Sequence, residues 1–335
     1  MTVDSAAAHA PSAPLTPTAL AAPVANNKVL NMCADDYGAS HGICDAVLEL
    51  AESARLSATS VLTGCTAWPA RAAELAALPA VRQGRVQVGL HFNLTEGAPV
   101  SRELAAYRPS GYGLGSLIAQ AHLHLLPRAA LAAEWKAQWQ AFVQAFGRAP
   151  DYVDGHQHVH HLPQVREVML EALSESENET ESGLTNPPAV RATGRLPGRG
   201  HAFKRWVIES TGGSRLQQTL KSRGLRHNTT LWGVYDFVDE DYGALMRRWL
   251  RDLPAEGALL FCHPGKPQPT SASSQEAPGS IDLIAPARER EWRYLSSENF
   301  VRDLREAQVV LGTTWVQRGV KVSSVGAQSD DPTLE

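Results

Sequence analysis

The chain has 335 residues and a mass of 36.2 kDa, with 43% apolar and 20% charged residues. This length and composition exclude a small disulfide-stapled module and a disordered chain, and they favour one large α/β domain or two ordinary domains. The net charge of −4, from 31 Lys and Arg against 35 Asp and Glu, argues against nucleic acid as the main partner.

The N-terminal stretch 1–26 is rich in Ala, Pro and Thr, and no Lys or Arg precedes Lys28. A secretory signal needs a basic start and an unbroken apolar segment, so we predict a disordered tail over 1–26. A second disordered tail is predicted over 321–335, and 27–320 is predicted to be a single domain without a membrane span. The four cysteines form no CxxC pair, which is typical of reduced thiols in a cytoplasmic protein.

From Lys28 onward, short apolar runs alternate with amphipathic stretches. The apolar runs predict strands that are buried on both faces, at 28–34, 57–63, 86–92, 151–155, 189–193, 229–234, 257–262 and 308–314. The amphipathic stretches predict helices at 42–53, 68–78, 128–146, 163–173, 201–210, 214–224 and 239–253. A long irregular insertion is predicted at 97–127, and surface loops are predicted at 174–183 and 266–279.

This alternation indicates a parallel sheet covered by helices, either an open doubly wound sheet or a closed (β/α) barrel. No GxGxxG follows the first strand, so a dinucleotide-binding fold has no support. The positions of the polar residues favour the barrel over the open sheet. These residues follow the ends of several strands, and such ends converge on one mouth in a barrel but are spread along an edge in an open sheet. We therefore predict a barrel of about seven strands, with an active site at its mouth that contains Asp35, Asp36, His91, Asp154, His156, Arg191 and His263.

The adjacent carboxylates Asp35 and Asp36 follow a buried strand. Two buried carboxylates repel each other and need a metal ion or another cation nearby. Successive side chains of an extended segment point to opposite sides, so one carboxylate can face a metal while its neighbour faces a bound water. The alternative is a helix N-cap with a solvated acid.

The segment DGHQHVHH, residues 154–161, has the strongest signal in the chain. In an extended conformation Asp154, His156, His158 and His160 share one face, and imidazole is a common ligand of divalent metals. Four groups are more than one metal takes from a single strand, so some of them must support the ligands or contact substrate. An accidental histidine run is the alternative, and His91 taken alone resembles a hydrogen-bonded core histidine.

Two further strand ends carry polar groups. His263 has the position of a general acid or base, before a Pro264–Gly265 turn. Arg191 could orient a carboxylate or bind an anion, or it could be a surface arginine. His122 and His124 lie in the insertion without carboxylate neighbours and are expected at the surface.

Five segments in this order, CADDYGASHGI, VGLHFNLTEGAPV, DYVDGHQHVHHLPQV, VRAT and LFCHPG, resemble the YdjC-like (ChbG/HpnK) carbohydrate deacetylases over roughly 30–265. The resemblance implies a deacetylase-type barrel, usually seven-stranded. It also implies metal-dependent removal of acetyl groups from N-acetylated sugars, either chitooligosaccharides or acetylglucosaminyl (hopanoid) lipids.

The resemblance also implies roles for single residues. Asp36, His91 and His156 correspond to the ligands of one divalent ion, Mg²⁺ or Zn²⁺, and Asp35 corresponds to the catalytic base. His263 corresponds to the group that protonates the leaving amine, and Arg191 to the arginine that holds the base. Asp154, His158 and His160 are left as substrate contacts or as support for the ligands. Cys33 departs from the family pattern because asparagine is common there, which predicts a missing hydrogen bond.

Two rival functions remain at this point. A metal-dependent phosphoesterase would also use Asp and His at a barrel mouth, although it usually needs two metals and a cationic phosphate clamp. A non-catalytic sugar-binding protein would keep the barrel without turnover. The expected partner is an N-acetylated oligosaccharide or glycolipid, and a homodimer is left open.

Overall fold

The computed structural model describes residues 27–178, 187–238, 241–268 and 282–316. The predicted tails at 1–26 and 321–335, and most of the predicted loop at 266–279, lie outside these residues. Within them, no helix is both long and apolar enough to cross a membrane.

Seven parallel strands form the sheet, in the order β5-β4-β3-β2-β1-β7-β6. An eighth strand pairs in parallel with the start of β1. From Leu30 to Tyr37, every residue of β1 is buried, because strands flank it on both sides and helices cover the sheet. The strands are β1 (Lys28–Tyr37), β2 (Ala58–Val61), β3 (Gln87–Phe92), β4 (Tyr152–Gly155), β5 (Ala189–Val190), β6 (Thr230–Trp232), β7 (Ala258–Cys262) and β8 (Val309–Leu311).

The two edges of the sheet meet through few contacts. Val190 in β5 forms an isolated parallel bridge with His227, which precedes β6. The Asn228 side chain accepts a hydrogen bond from the Ala192 N–H at 2.7 Å and donates one to the Ala192 carbonyl at 2.9 Å. The Leu231 N–H in β6 also donates a hydrogen bond to the carbonyl oxygen of Arg195, which follows β5, at 2.9 Å. The predicted barrel of about seven strands is confirmed, with separate contacts of this kind at its seam instead of a full ladder.

Helices connect the strands and cover the outside of the sheet. Ser40 caps the first helix by accepting a hydrogen bond from the Ile43 N–H, and Gly147 ends the longest helix with a φ of 65°. The helices are α1 (His41–Glu52), α2 (Trp68–Ala77), α3 (Pro79–Arg82), α4 (Arg102–Tyr107), α5 (Leu114–His122), α6 (Arg128–Phe146), α7 (Val165–Asn178), α8 (Ala202–Ile208), α9 (Ser214–Ser222), α10 (Tyr242–Asp252), α11 (Ala285–Ser296) and α12 (Glu298–Glu306).

Three sequence predictions need correction. The insertion at 97–127 is not irregular, because it contains α4 and α5, and both helices bury a leucine against the domain. The helix α7 continues to Asn178, into the predicted loop. The strand β5 has two residues instead of five, since beyond it Ala192 bonds to the side chain of Asn228 rather than to a neighbouring strand.

Candidate active site

The carboxyl ends of β1, β3, β4 and β7, and the segment that follows β5, bring polar side chains together at one mouth of the barrel. Their neighbours in the sheet fix the spacing, because His91 pairs in register with Asp154 and Ala34 pairs with Cys262. Most of these side chains are buried. The structure therefore places the residues of the predicted site near one another at this mouth.

One carboxylate oxygen and two imidazole nitrogens face each other at this mouth. Asp36 Oδ1 lies 3.0 Å from His156 Nδ1 and 3.4 Å from His91 Nε2. One ligand atom from each residue lies within 4.8 Å of the other two. An O,N,N donor set of this kind fits a divalent cation such as Zn²⁺ and leaves further positions for water or substrate.

The backbone at Asp36 is unusual and explains how two adjacent carboxylates serve one site. Asp36 has a φ of 71°, and the pairing of β1 with β2 shifts register between Ala34 and Tyr37. The simple alternation expected for an extended chain is therefore broken by a bulge. A left-handed non-glycine residue costs about 1–3 kcal/mol and is typical of functional positions.

Asp35 belongs to a second, fully buried cluster around Arg191. Arg191 donates through Nη1 and Nη2 to the two carboxylate oxygens of Asp35, both at 2.7 Å. Its Nη2 also lies 2.6 Å from Asp154 Oδ2. Cys33, Asp35 and Asp154 are close enough together to hold a metal, but the guanidinium already lies among them. Arg191 is thus no surface residue, and this cluster is an ion-pair network rather than a cation site.

Asp154 contacts the candidate ligand His91 and does not belong to the candidate cation site itself. Its Oδ1 lies 2.6 Å from His91 Nδ1, which leaves His91 Nε2 directed at Asp36. A carboxylate behind an imidazole in this way fixes the ring and its tautomer. Burial raises the pKa of Asp154, but Arg191 and His91 outweigh it and lower that pKa to about 2.

The prediction that residues 154–160 share one face of an extended chain is wrong. The strand β4 ends at Gly155, and a 3₁₀ segment, His156–His161, follows it with positive φ at Gln157 and His158. Only His156 of this segment reaches Asp36. His160 Nε2 lies 2.9 Å from the carbonyl oxygen of Arg191, and the His158 ring packs edge-on against Phe261 with centroids 5.3 Å apart.

His263 lies at the end of β7, with its ring against Phe237 and Phe261 at centroid distances of 5.3 and 5.5 Å. Its Nδ1 is buried and has no hydrogen-bond partner among the described residues. Burial lowers the pKa of His263 to about 4, despite the opposing effect of Asp36 and Asp35. Burial therefore favours a neutral imidazole at His263 near pH 7.

The family model of the YdjC-like proteins matches residues 29–306. The chain belongs to the YdjC-like family. The match runs from β1 into α12, so it includes every strand end described above and the helix α11. The resemblance found in the sequence is confirmed.

Curated relatives agree with this YdjC-like assignment, and one solved structure has a similar fold. A carbohydrate deacetylase of Mus musculus is 32% identical over 274 residues, which cover 75% of this chain and 83% of the mouse protein. A chitooligosaccharide deacetylase of Yersinia enterocolitica is 35% identical over 138 residues, 41% of this chain and about half (53%) of that protein. The fold resembles an Enterococcus faecalis protein described as a cellobiose-phosphate cleavage protein, with a TM-score of 0.57, 18% identity and coverage of 86% and 97%.

The sequence reasoning missed two residues of this YdjC-like site, Arg288 and Glu291, which lie one turn apart on α11. Arg288 Nη2 donates to Asp36 Oδ2 at 2.8 Å. Glu291 accepts hydrogen bonds from the backbone N–H of His263 and from the hydroxyl of Tyr235. Both are buried, yet the run ARERE in which they lie has the composition of a solvated helix. Only the i, i+3 spacing on one face could have separated them from their exposed neighbours.

The polar contacts of Cys33 also differ from the prediction of a missing hydrogen bond. Its sulfur accepts a hydrogen bond from Arg191 Nη2 at 3.0 Å and lies 3.0 Å from the hydroxyl of Tyr152. The thiol therefore contacts Arg191, and the expected gap in the polar network is not present.

Glu291 should make folding stability depend on pH. Burial raises its pKa from 4.5 to about 7 against the opposing hydrogen bonds of Tyr235 and His263. The folded state then binds a proton that the unfolded chain has lost, so the stabilisation is complete below pH 4.5 and disappears as the pH rises through 7. A shift of this size corresponds to about 3 kcal/mol. Urea unfolding at pH 5 and pH 8 should show a pH dependence smaller by up to this amount in Glu291→Gln.

The control for this experiment is Glu289→Gln, a half-exposed residue on the same helix that pairs with Arg293. Its pH dependence should match that of the unmodified protein. Equal slopes for Glu291→Gln and the unmodified protein would show that Glu291 titrates near its ordinary pKa.

Proposed function

We propose that this YdjC-like chain is a metal-dependent carbohydrate N-deacetylase, which hydrolyses the acetamide of an N-acetylated sugar and releases acetate. The observation that carries the proposal is the Asp36, His91 and His156 triad next to a carboxylate, Asp35, that Arg191 holds in place. The YdjC-like family and the relatives named carbohydrate deacetylase support this reading.

Amide hydrolysis needs an activated water, stabilisation of the tetrahedral oxyanion and a proton for the amine. A divalent cation held by Asp36, His91 and His156 would polarise the acetyl carbonyl and lower the pKa of a bound water. The O,N,N donor set favours Zn²⁺, because Mg²⁺ prefers more oxygen ligands.

Asp35 is the proposed base that takes a proton from the attacking water. Arg191 donates to both of its oxygens, which fixes the carboxylate plane and keeps it from rotating toward the cation ligands. Since Asp154 shares the same guanidinium, Arg191 links the base to the carboxylate behind His91. The buried guanidinium of Arg191 thus orients both Asp35 and Asp154.

His263 is the proposed proton donor to the leaving amine. Its imidazole is neutral before the reaction, because burial lowers its pKa to about 4. The proton that Asp35 takes from the water must therefore pass to His263 before His263 can donate it to the amine. The Nδ1 atom of His263 is buried and has no hydrogen-bond partner among the described residues, so this nitrogen is available to bind the proton.

The proposed substrate is a chitooligosaccharide or a related N-acetylglucosamine compound, with an acetylglucosaminyl lipid as the second candidate. The chitooligosaccharide deacetylase among the relatives supports the first. A phosphoesterase is less well supported, because the two buried arginines of the site, Arg191 and Arg288, already pair with carboxylates. The free, buried state of all four cysteines supports a cytoplasmic location.

The decisive experiment measures acetate release from chitobiose, from longer chitooligosaccharides and from an acetylglucosaminyl lipid. We expect acetate from at least one of them, loss of activity with a chelator and recovery with a divalent metal. Phosphate release from a phosphosugar panel would favour a phosphoesterase. Tight oligosaccharide binding with no acetate from the metal-loaded protein would favour a sugar-binding protein.

A further inference from the structure

We propose that Arg288 is a positioning residue that restricts Asp36 to one carboxylate oxygen on the side of the cation. This inference rests on the proposed metal site, and it concerns a residue outside the triad. Arg288 lies on α11, far along the chain from the strand ends that supply the ligands.

The two oxygens of Asp36 have different partners. Oδ1 faces His156 and His91, whereas Oδ2 accepts a hydrogen bond from Arg288 Nη2 at 2.8 Å. Asp36 is 1% exposed and Arg288 is 8% exposed, so little water competes for this pair. The guanidinium therefore occupies the oxygen that a freely rotating carboxylate would also offer to the cation.

The fold holds Arg288 at this place from two further directions. Its Nε donates to Asp282 Oδ2 at 2.7 Å, and its carbonyl oxygen accepts a hydrogen bond from the Gly265 N–H at 3.1 Å. A Cβ on residue 265 would lie 3.1 Å from Cβ and 3.2 Å from Cδ of Arg288. The glycine of the CHPG segment thus lets the arginine stem pass close to the end of β7.

The chemical consequence is an open coordination position. Carboxylates bind cations through one oxygen or through both, and a bidentate carboxylate would use a position that water or the acetyl carbonyl needs. Lysine cannot reproduce the contact, because a single ammonium lacks the planar fork that reaches Asp36 and Asp282 together. Arg288 should therefore affect how the cation is coordinated, and through it the turnover, more than whether the cation binds.

Cobalt(II) titration of the metal-free 335-residue chain tests this, because the visible absorption of cobalt weakens as its coordination number rises. We expect Arg288→Met to bind one cobalt ion per chain with weaker absorption than the unmodified protein. Its kcat should fall about 10–100-fold with KM nearly unchanged, as is typical when a group behind a metal ligand is lost. Arg288→Lys should resemble Arg288→Met.

Two further variants keep the test decisive. Arg293→Met, an exposed residue of the same helix, should leave the cobalt spectrum and kcat unchanged. Gly265→Ala places a methyl group against the side chain of Arg288 without removing its charge, so it should also weaken the cobalt absorption. This variant tests the proposal if Arg288→Met does not fold. Unmodified spectra in the Arg288 and Gly265 variants would overturn the role of Arg288 and leave the deacetylase proposal intact. Failure of the unmodified chain to bind cobalt would instead overturn the proposed metal site, and Arg288 with it.

Discussion

Asp35→Asn should retain the metal and lose roughly two to four orders of magnitude in turnover, the contribution expected of a general base. The change is nearly isosteric, so the amide oxygen can still accept one of the two hydrogen bonds that Arg191 donates to the carboxylate. An amide cannot take a proton from water near pH 7. Steady-state acetate release, together with metal analysis of the purified protein, measures both quantities.

Asp45→Asn is the matched control. Asp45 lies on α1 outside the site, is half-exposed and pairs with Arg71. This variant should keep kcat, KM and metal content. Turnover of Asp35→Asn within threefold of the unmodified protein would assign the base to another group. A loss of metal in Asp35→Asn would show that Asp35 contributes to the cation site itself.

The strand ends could be predicted from the sequence because two independent patterns agree there. The apolar run of β1 predicts a strand buried on both faces, and the polar pair Asp35–Asp36 marks where that run ends. The same coincidence marks His91 and His263. The burial of a strand and the position of its carboxyl end can therefore be predicted from the order of apolar and polar residues, without knowledge of tertiary contacts.

The local geometry of the site could not be read in this way. Asp36 and His158 both have positive φ, a backbone state that is uncommon outside glycine and that an Asp or His in the sequence does not by itself predict. Because Gln157 and His158 have positive φ, the alternation expected over 154–160 failed, and of the residues in that segment only His156 reaches Asp36. Tertiary contacts favour a backbone conformation here that the local preferences of the residues oppose.

Long-range ion pairs are the second part that sequence reasoning could not reach. Arg288 and Asp36 are 252 positions apart, and Arg191 and Asp35 are 156 apart. The end of a predicted strand indicates where a polar side chain lies in the barrel, and for this reason Arg191 could be predicted as a site residue. A charged helix such as α11 gives no comparable signal, and Arg288 and Glu291 were recognised only from the structure.

Arg191→Met should destabilise the fold by about 3–5 kcal/mol, the cost of breaking a buried ion pair on one side. Arg191 is fully buried and lies between Asp35 and Asp154, so its loss leaves these buried carboxylates without the guanidinium that pairs with both of them. Urea unfolding of the 335-residue chain at pH 8, with chelator present, measures the effect. Arg148→Met removes an exposed pair with Asp151 and should cost less than about 1 kcal/mol.

The pH dependence separates an electrostatic origin from simple loss of packing. In the unmodified protein, Arg191 and His91 lower the pKa of Asp154 to about 2, so the stabilisation persists above pH 4 and is lost only as the pH falls through 2. Without Arg191, the largest influence that lowers the pKa of Asp154 is gone and burial raises that pKa, so Asp154 takes up a proton as the pH falls. The deficit of Arg191→Met should therefore shrink between pH 8 and pH 5, and adding Asp154→Asn to Arg191→Met should recover part of the lost stability at pH 8. A deficit that is equal at both pH values, with no recovery in the double variant, would mean that Arg191 stabilises the barrel through the volume it fills rather than through its charge.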